Sequence, residues 1–470
     1  MALPDYIYRK IREYFPFEPT ECQNQLFKVM SSFLCDDKNI LIVNGYAGTG
    51  KTEAIGAAVK AMKKTGLRFR LMAPTGRAAK VLSNYTGEKA TTIHKLVYRQ
   101  KSMDAGGGRF EIDRNEDSDT CYIVDESSLI SNDGSSLVFG TGSLLDDMFT
   151  YIGQGRGNRL VLVGDNAQLP PVMQEYSLAL DPSYMALYGN VDTVTLDTVV
   201  RQTGESGILY NATLLRKAIQ DGRTSFPELR TSGFKDVERI SGGDLIEAID
   251  DAISRYGMDE TVVLCRSNKR ANRYNLGIRS SVLFREESLI RGDRLMIVKN
   301  CYQFLEDVKE LDFIANGDIA ELQKIYGYEE RYGLHFADAC LSFPDYDDVE
   351  IRAKIILDTL LSESASLSPE MQTALYEGVY ADYDNIRTKR KRNAAVREDP
   401  YYNALQIKYS AAVTCHKSQG GQWACVFIDN PFWGEDLTGD DLKWLYTAIT
   451  RATEKVYLVN FNSGLFRQER

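Results

Sequence analysis

Along the first 165 residues, four short apolar runs each give way abruptly to polar or turn residues. They are Ile40-Leu41-Ile42-Val43, Arg70-Leu71-Met72-Ala73, Cys121-Tyr122-Ile123-Val124 and Leu160-Val161-Leu162-Val163. The runs are continuous rather than alternating, which predicts strands buried on both faces of a parallel sheet. Between the first two, residues 53–64 place Ala54, Ala57, Ala58 and Met62 at helical spacing, and Gly66 is positioned to stop the helix. Strands alternating with helices predict an open α/β sheet, whose ligands gather at the C-terminal strand edge. That edge would carry Gly45, Pro74-Thr75-Gly76-Arg77, Asp125-Glu126 and Gly164-Asp165 with Gln168 beyond. A capped helix over the start, with Thr20 as N-cap, would pack on this sheet.

The same grammar returns later. Thr261-Val262-Val263-Leu264-Cys265 ends in Arg266-Ser267-Asn268, and Ser410-Ala411-Ala412-Val413 ends in Thr414-Cys415-His416-Lys417-Ser418-Gln419-Gly420. Ala424-Cys425-Val426-Phe427-Ile428 ends in Asp429, and a helical segment over residues 444–450 ends at Arg451, before Val456-Tyr457-Leu458-Val459. These runs predict a second, related sheet. Between the halves, residues 291–298 and 314–322 with the Asn316-Gly317 turn predict a small β-barrel. Residues 349–396 are charged and predict helix, and the basic run Arg387-Thr388-Lys389-Arg390-Lys391-Arg392 is expected to be a solvated helix face. Residues 98–119, with Asp104-Ala105-Gly106-Gly107-Gly108 at their centre, predict either a protruding hairpin or a surface loop. The expected domains are residues 1–200, residues 201–290 with 410–470, and an inserted unit over residues 291–409.

Size and composition agree with about three domains of ordinary globular protein: 470 residues, 43% hydrophobic and 26% charged. No run nears the ~18 apolar residues of a membrane span, and the opening Met-Ala-Leu-Pro-Asp-Tyr has no signal-peptide pattern. Eight scattered cysteines without a C-x-x-C pair, and three histidines, argue against zinc ribbons and disulfide frameworks and for a reducing cytoplasm. The net charge of −10 speaks against broad adhesion to nucleic acid but allows a narrow groove with positive walls.

Gly45-Tyr46-Ala47-Gly48-Thr49-Gly50-Lys51-Thr52 fits G-x-x-x-x-G-K-T, and it stands between a strand and a helix, the context that makes the pattern a phosphate site. Its glycines let backbone N–H groups close on anionic oxygens at a helix N-terminus. Lys51 would reach the β- and γ-phosphates, and the Thr52 hydroxyl would ligate Mg²⁺. Asp125 follows a strand as a magnesium-holding carboxylate would, and Glu126 could polarise an attacking water. Gln168 is placed to sense a γ-phosphate. Arg201 and Arg451 are candidates for stabilising charge in phosphoryl transfer, with Arg451 presented from the second sheet.

This set of motifs resembles the superfamily 1 helicases, and within them the RecD and Dda branch. The stretches that carry the resemblance are Gly-Tyr-Ala-Gly-Thr-Gly-Lys-Thr, Ala-Pro-Thr-Gly-Arg-Ala-Ala, Thr-Thr-Ile-His, Val-Asp-Glu, Gly-Asp-Asn-Ala-Gln-Leu-Pro-Pro-Val, Arg-Gln, Thr-Cys-His-Lys-Ser-Gln-Gly and Tyr-Thr-Ala-Ile-Thr-Arg-Ala. They occur in the family's order over residues 19–459. The resemblance implies two RecA-like parallel-sheet domains, a hairpin inserted in the first, and an SH3-like barrel with a helical extension in the second. It implies ATP and Mg²⁺ bound by Gln23 (reading adenine), Gly45, Ala47, Gly48, Thr49, Gly50, Lys51, Thr52, Asp125, Glu126, Gln168, Arg201, Gln419, Gly420 and Arg451. Pro74, Thr75, Thr92, His94, Thr414, His416 and Lys417 would face single-stranded DNA, and residues 98–119 would split the strands, with Phe110 as a candidate wedge. The implied activity is 5′→3′ helicase movement on single strands and forks by a monomeric or weakly self-associating protein. An RNA-directed translocase and a nucleotide-gated binding switch without unwinding remain open as alternatives.

Overall fold

The computed structural model describes residues 3–100, 110–132, 140–172, 174–200, 205–301, 303–305, 313–432 and 437–466. Six parallel strands form the first sheet in the order Ala90–Thr92, Arg68–Ala73, Thr120–Val124, Arg159–Gly164, Ile40–Gly45, Val191–Leu196. Its continuous apolar runs are explained by two packed faces. Leu41, Val43, Ile123, Val161 and Val163 point to one core with Ala54, Ala57, Ala58 and Met62 of the helix Lys51–Thr65. Ile40, Ile42, Tyr122, Leu160 and Leu162 point to another core, beneath the helix Leu144–Gly153. Each fully buried aliphatic side chain contributes roughly 1.5–3 kcal/mol, so shifting a strand's register by one residue would exchange both faces at once. The helix Lys51–Thr65 stops at Gly66, whose φ of 74° suits glycine.

The second sheet is also parallel, in the order Ala412–Thr414, Thr261–Cys265, Trp423–Asp429, Ala452–Val459, Val237–Ile240. Five further strands, Arg294–Ile297, Ile319–Arg331, Leu334–Phe343, Val349–Ile356 and Leu405–Tyr409, close into a barrel. The expectation of helix from residue 349 onward is corrected here. Ile351, Ala353 and Ile355 alternate with Glu350, Arg352 and Lys354 and fill the barrel interior, a period of two that the charges disguise. Helix begins only at Pro369–Asp382 and continues in Lys389–Glu398. Lys389, Arg390 and Lys391 are exposed, while the Arg392 guanidinium lies over Tyr380, 3.9 Å from the ring centroid, and donates to the Tyr380 carbonyl near the end of Pro369–Asp382.

Tyr98–Gln100 pairs antiparallel with Phe110–Ile112, so residues 98–112 begin and end as a hairpin; residues 101–109 lie outside those described. Phe110, paired with Gln100 at the loop-side end of the two strands, is buried, 6.3 Å from the ring of Phe313 in the barrel unit. A wedge must meet base pairs at an exposed tip, so Phe110 does not fit that role.

Candidate nucleotide and nucleic-acid site

The strand Ile40–Gly45, fifth in the first sheet's order, delivers its chain into a loop that two left-handed glycines turn back on itself, Gly48 at φ 75° and Gly50 at φ 73°. At both positions a side chain would also have to displace a neighbour. A Cβ on Gly48 would meet Leu209 Cδ2 at 2.6 Å, and one on Gly50 would meet Gln23 Nε2 at 2.7 Å. Gly50 is the N-cap of the helix Lys51–Thr65, which leaves Lys51 and Thr52 in its first turn with backbone N–H groups directed outward. Thr49 is buried and its hydroxyl donates to the Tyr46 carbonyl at 2.8 Å, which braces the loop. The Lys51 ammonium donates to the carbonyls of Gly45 and Tyr46.

Gln23 is wholly buried behind the loop. Its Oε1 accepts from the Thr20 N–H at 2.9 Å in a capping box, and its Nε2 donates to the Thr49 carbonyl at 2.9 Å. It therefore tethers the loop to the helix Glu21–Phe33. One amide N–H and one lone pair are left for another partner.

Asp125 follows Thr120–Val124, accepts from the Glu126 N–H at 2.8 Å, and is raised above the usual carboxylate range by burial and by the charge of Glu126, with Lys51 opposing. Glu126 sits at φ 51°, a left-handed backbone uncommon for a residue with a Cβ. Such strain is retained where surrounding structure dictates it, and it cluster at functional sites. The oxygen donors of Thr52 and Asp125 are those a hard cation such as Mg²⁺ takes.

Gln168 is buried, and its Oε1 has no hydrogen-bond partner among the described residues. The next residue ties the two lobes together: the Leu169 N–H donates to Thr447 Oγ1 at 2.8 Å, and the Leu169 carbonyl accepts from Gln419 Nε2 at 2.6 Å. Gln419 thus bridges the lobes through Leu169. Gly420 is placed against Thr75 and Ala78 rather than at the phosphate loop, a Cβ there coming 3.2 Å from Thr75 Oγ1. Arg451 is buried, with Nε donating to the Thr447 carbonyl, Nη1 to the Gly421 carbonyl and Nη2 to Thr450 Oγ1. These three bonds lie within its own lobe, so the guanidinium does not contact the phosphate loop in this arrangement. Arg201 lies outside the described residues. The Val200 N–H donates to the Gly48 carbonyl at 3.0 Å.

Several residues that hold the seam carry no signal of their own in the sequence. Tyr446, one residue before Thr447, accepts from the Ala47 N–H at 3.0 Å and donates to Asp165 Oδ2 at 2.6 Å. In return Tyr46 of the phosphate loop is buried in the second lobe's core, with Arg216 4.6 Å from its ring centroid and Gln220 donating to its hydroxyl at 2.8 Å. Arg77 stacks on Trp423 at 4.0 Å and donates to the Gln422 carbonyl at 2.7 Å. These partners sit hundreds of residues apart in sequence, so only the folded chain identifies them.

The residues expected to face DNA share a local design. Pro74 leads to Thr75, which caps Gly76–Thr86 by accepting from the Ala78 N–H at 3.2 Å. Thr92 caps Ile93–Val97 by accepting from the Lys95 N–H at 3.2 Å, and Thr414 stands at the N-cap of the short turn Cys415–Ser418. His94 lies 5.7 Å from the rings of both Tyr98 and Phe313, and burial pushes its pKa down to about 4, so it is neutral near pH 7. His416 is exposed, and its pKa is lowered by desolvation and by Arg266. Lys417 donates to Asn316 Oδ1 at 3.0 Å, and burial together with Lys408 lowers its pKa to about 8.

Known proteins match this chain in two segments. Residues 23–234 match the AAA domain model, and residues 409–459 match the UvrD-like helicase C-terminal domain model. The ATP-dependent RecD2 DNA helicase of Deinococcus radiodurans is 31% identical over 176 residues, 37% of this chain and 21% of that protein. An uncharacterized protein of Methanocaldococcus jannaschii, MJ1519, is 22% identical over 89% of this chain and 36% of its own length. The chain therefore spans only about a fifth to a third of these two relatives. The ATP-dependent DNA helicase dda of Enterobacteria phage T4 is 23% identical over 94% of this chain and 99% of the phage protein. A solved structure of Pif1 helicase from Bacteroides with ADP-AlF3 and ssDNA aligns with 96% of this chain and 95% of its own, at 16% identity and a TM-score of 0.47. The ordered motifs, the two matched models and the two named helicase relatives agree in one respect: the chain is similar to the superfamily 1B helicases, in the branch that holds RecD and Dda.

Proposed function

We propose that the chain is an ATP-driven DNA helicase that moves 5′→3′ along a single strand and opens forks. The observation that supports this best is that the phosphate loop lies on the seam between the lobes, with Tyr446 of the second lobe hydrogen-bonded to Ala47 of the first. Nucleotide arriving at such a seam changes contacts on both sides at once, and a ligand shifts a two-state equilibrium by its differential affinity for the states.

In this reading Gly45, Gly48, Thr49, Gly50 and Lys51 hold the β- and γ-phosphates, and Gln23 offers its remaining amide positions to the base. Thr52 and Asp125 hold Mg²⁺, which supplies charge neutralisation on the phosphate oxygens. Glu126 orients the attacking water, and Gln168, whose Oε1 is unpartnered among the described residues, turns to the γ-phosphate. Arg451 leaves its own lobe's carbonyls to meet the developing charge, and Arg201 supplies a second positive charge. Gln419 transmits the change through Leu169 to the strand edges that carry Thr75, Thr92, His94, Thr414, His416 and Lys417. Each edge then grips and releases DNA in turn.

Steady-state ATP hydrolysis with and without poly-dT tests the reading, and a forked duplex reports unwinding. Hydrolysis stimulated by poly-dT together with strand displacement is expected. Stimulation by poly-U alone would assign the chain to RNA, and stimulation without displacement would leave translocation and remove unwinding.

A further inference from the structure

Resting on the reading of this seam as an ATPase site, we infer that Tyr446 is a positioning residue whose hydroxyl sets the register between the phosphate loop and the second lobe. The phenol is buried, 1% exposed, and burial with the nearby Asp165 carboxylate drives its pKa well up, so it stays protonated. Its bonds therefore have a fixed direction. The hydroxyl donates to Asp165 Oδ2 at 2.6 Å and accepts from the Ala47 N–H at 3.0 Å. Asp165 is itself wholly buried, and its Oδ1 accepts from the Ala167 N–H at 3.0 Å, in the strand-end loop that continues into Gln168. One oxygen from the second lobe thus joins two separate loops of the first.

The placement of this oxygen along its helix gives it a consequence for chemistry. Tyr446 and Thr447 lie near the end of Gly439–Ile449, and both bond to the first lobe. Arg451 follows Tyr446 by five residues, little more than one helical turn, and its Nε is already fixed on the Thr447 carbonyl. Where Tyr446 sits therefore decides where Arg451 starts. Removing the hydroxyl deletes no group from the phosphate cradle, so nucleotide affinity should hold while the step that needs the second lobe slows. A hydrogen bond to a charged, buried partner is strong enough for roughly a tenfold rate effect.

The test compares Tyr446→Phe, Asp165→Asn and the double variant in the full chain. For each, kcat and KM for ATP are measured at saturating poly-dT, with mant-ADP affinity and thermal midpoint alongside. The expected result for Tyr446→Phe is a kcat about tenfold lower, with KM and mant-ADP affinity within twofold and the midpoint within a few degrees. Asp165→Asn should reproduce the kcat loss, and the double variant should be no worse than the poorer single one, as one shared interaction requires. An unchanged kcat in Tyr446→Phe, a loss carried by KM, or losses that multiply in the double variant would overturn the inference. If Tyr446→Phe does not fold, Asp165→Asn alone decides by the same kcat criterion. A wild-type chain without poly-dT-stimulated turnover would instead sink the ATPase reading itself, a result distinct from any of these.

Discussion

The two parallel sheets are alike at one edge and unlike further in. In the first, the edge strand Ala90–Thr92 ends at the cap Thr92, and its neighbour Arg68–Ala73 ends two residues before the cap Thr75. In the second, the edge strand Ala412–Thr414 ends at Thr414, which holds the N-cap position of Cys415–Ser418 without a side-chain cap bond, and its neighbour Thr261–Cys265 ends two residues before Ser267, which caps Asn268–Gly277. Further in, the sheets diverge. Ile40–Gly45, fifth of six strands, opens into the glycine loop, whereas Trp423–Asp429, third of five, ends in a carboxylate that its own lobe fills, with Arg270 in a salt bridge and Tyr274 donating at 2.6 Å. Among the described residues the two sheets therefore share the placement of Thr and Ser at strand ends, and one of them alone carries a glycine loop. That asymmetry is what the proposed motor needs: a polar edge on each lobe and a single fuel site at their seam.

Removing the unique part should produce the largest effect. Lys51→Ala is expected to leave no measurable ATP hydrolysis, a loss beyond roughly 10³-fold, while the thermal midpoint holds, since the Lys51 ammonium contacts only the carbonyls of its own loop. Retained turnover would return the glycine loop to being an ordinary turn. Arg451→Ala should cut kcat about 10³-fold if the guanidinium reaches the transition state. Because Arg451 also binds the Thr447 and Gly421 carbonyls, some stability should go with it. Arg451→Lys separates the two effects: a recovered midpoint without recovered turnover identifies the transition-state role, and full recovery of both would reduce Arg451 to a structural tie.

The two edges make a paired prediction. Thr75→Ala should weaken binding of a fluorescent oligo-dT by about fivefold, near the value of one helix cap, and Thr414→Ala, whose hydroxyl makes no cap bond, should weaken it by a similar factor through the loss of one hydrogen bond to the strand, with kcat at saturating DNA changed less in both. A loss confined to Thr75→Ala would mean that only the first lobe holds the strand. Fluorescence anisotropy with and without a non-hydrolysed ATP analogue would further report whether the two losses trade places as the seam closes.

How much of this was legible in the chain follows from what each feature depends on. Ile40-Leu41-Ile42-Val43 and the glycine loop after it are local, and strand, loop and helix Lys51–Thr65 all lie where their own residues require. The barrel strand Val349–Ile356 was hidden because Glu350, Arg352 and Lys354 on its outer face resemble a solvated helix, although Ile351, Ala353 and Ile355 keep period two. Phe110 was misjudged because its environment depends on Phe313, about two hundred residues away. Tyr446 illustrates the limit most sharply. Within Tyr-Thr-Ala-Ile-Thr-Arg-Ala the arginine draws attention by its charge, yet the hydroxyl that crosses the seam is identified only by its partners Ala47 and Asp165.

The smallest effect expected concerns pH, and it probes the second lobe's edge alone. Lys417 is half-buried, bonded to Asn316, and its pKa lies near 8 because burial and Lys408 both disfavour the charge. Below about pH 8 the ammonium is present and can pair with a backbone phosphate; above it the charge is lost and the contact with it. DNA affinity should therefore fall as pH rises from 7 to 9. The slope of log affinity against log salt should shrink by about 0.7 over the same range, the share of one contact on a single strand. A bound phosphate favours the charged amine, so DNA itself should move the midpoint upward, and a nucleic-acid-bound midpoint above the free one is the signature that distinguishes contact from mere proximity. In Lys417→Arg the side chain stays charged across this range, and both the affinity and the salt slope should become flat with pH. If Lys417→Arg keeps the wild-type pH dependence, the titrating group lies elsewhere and the second lobe's grip does not run through Lys417.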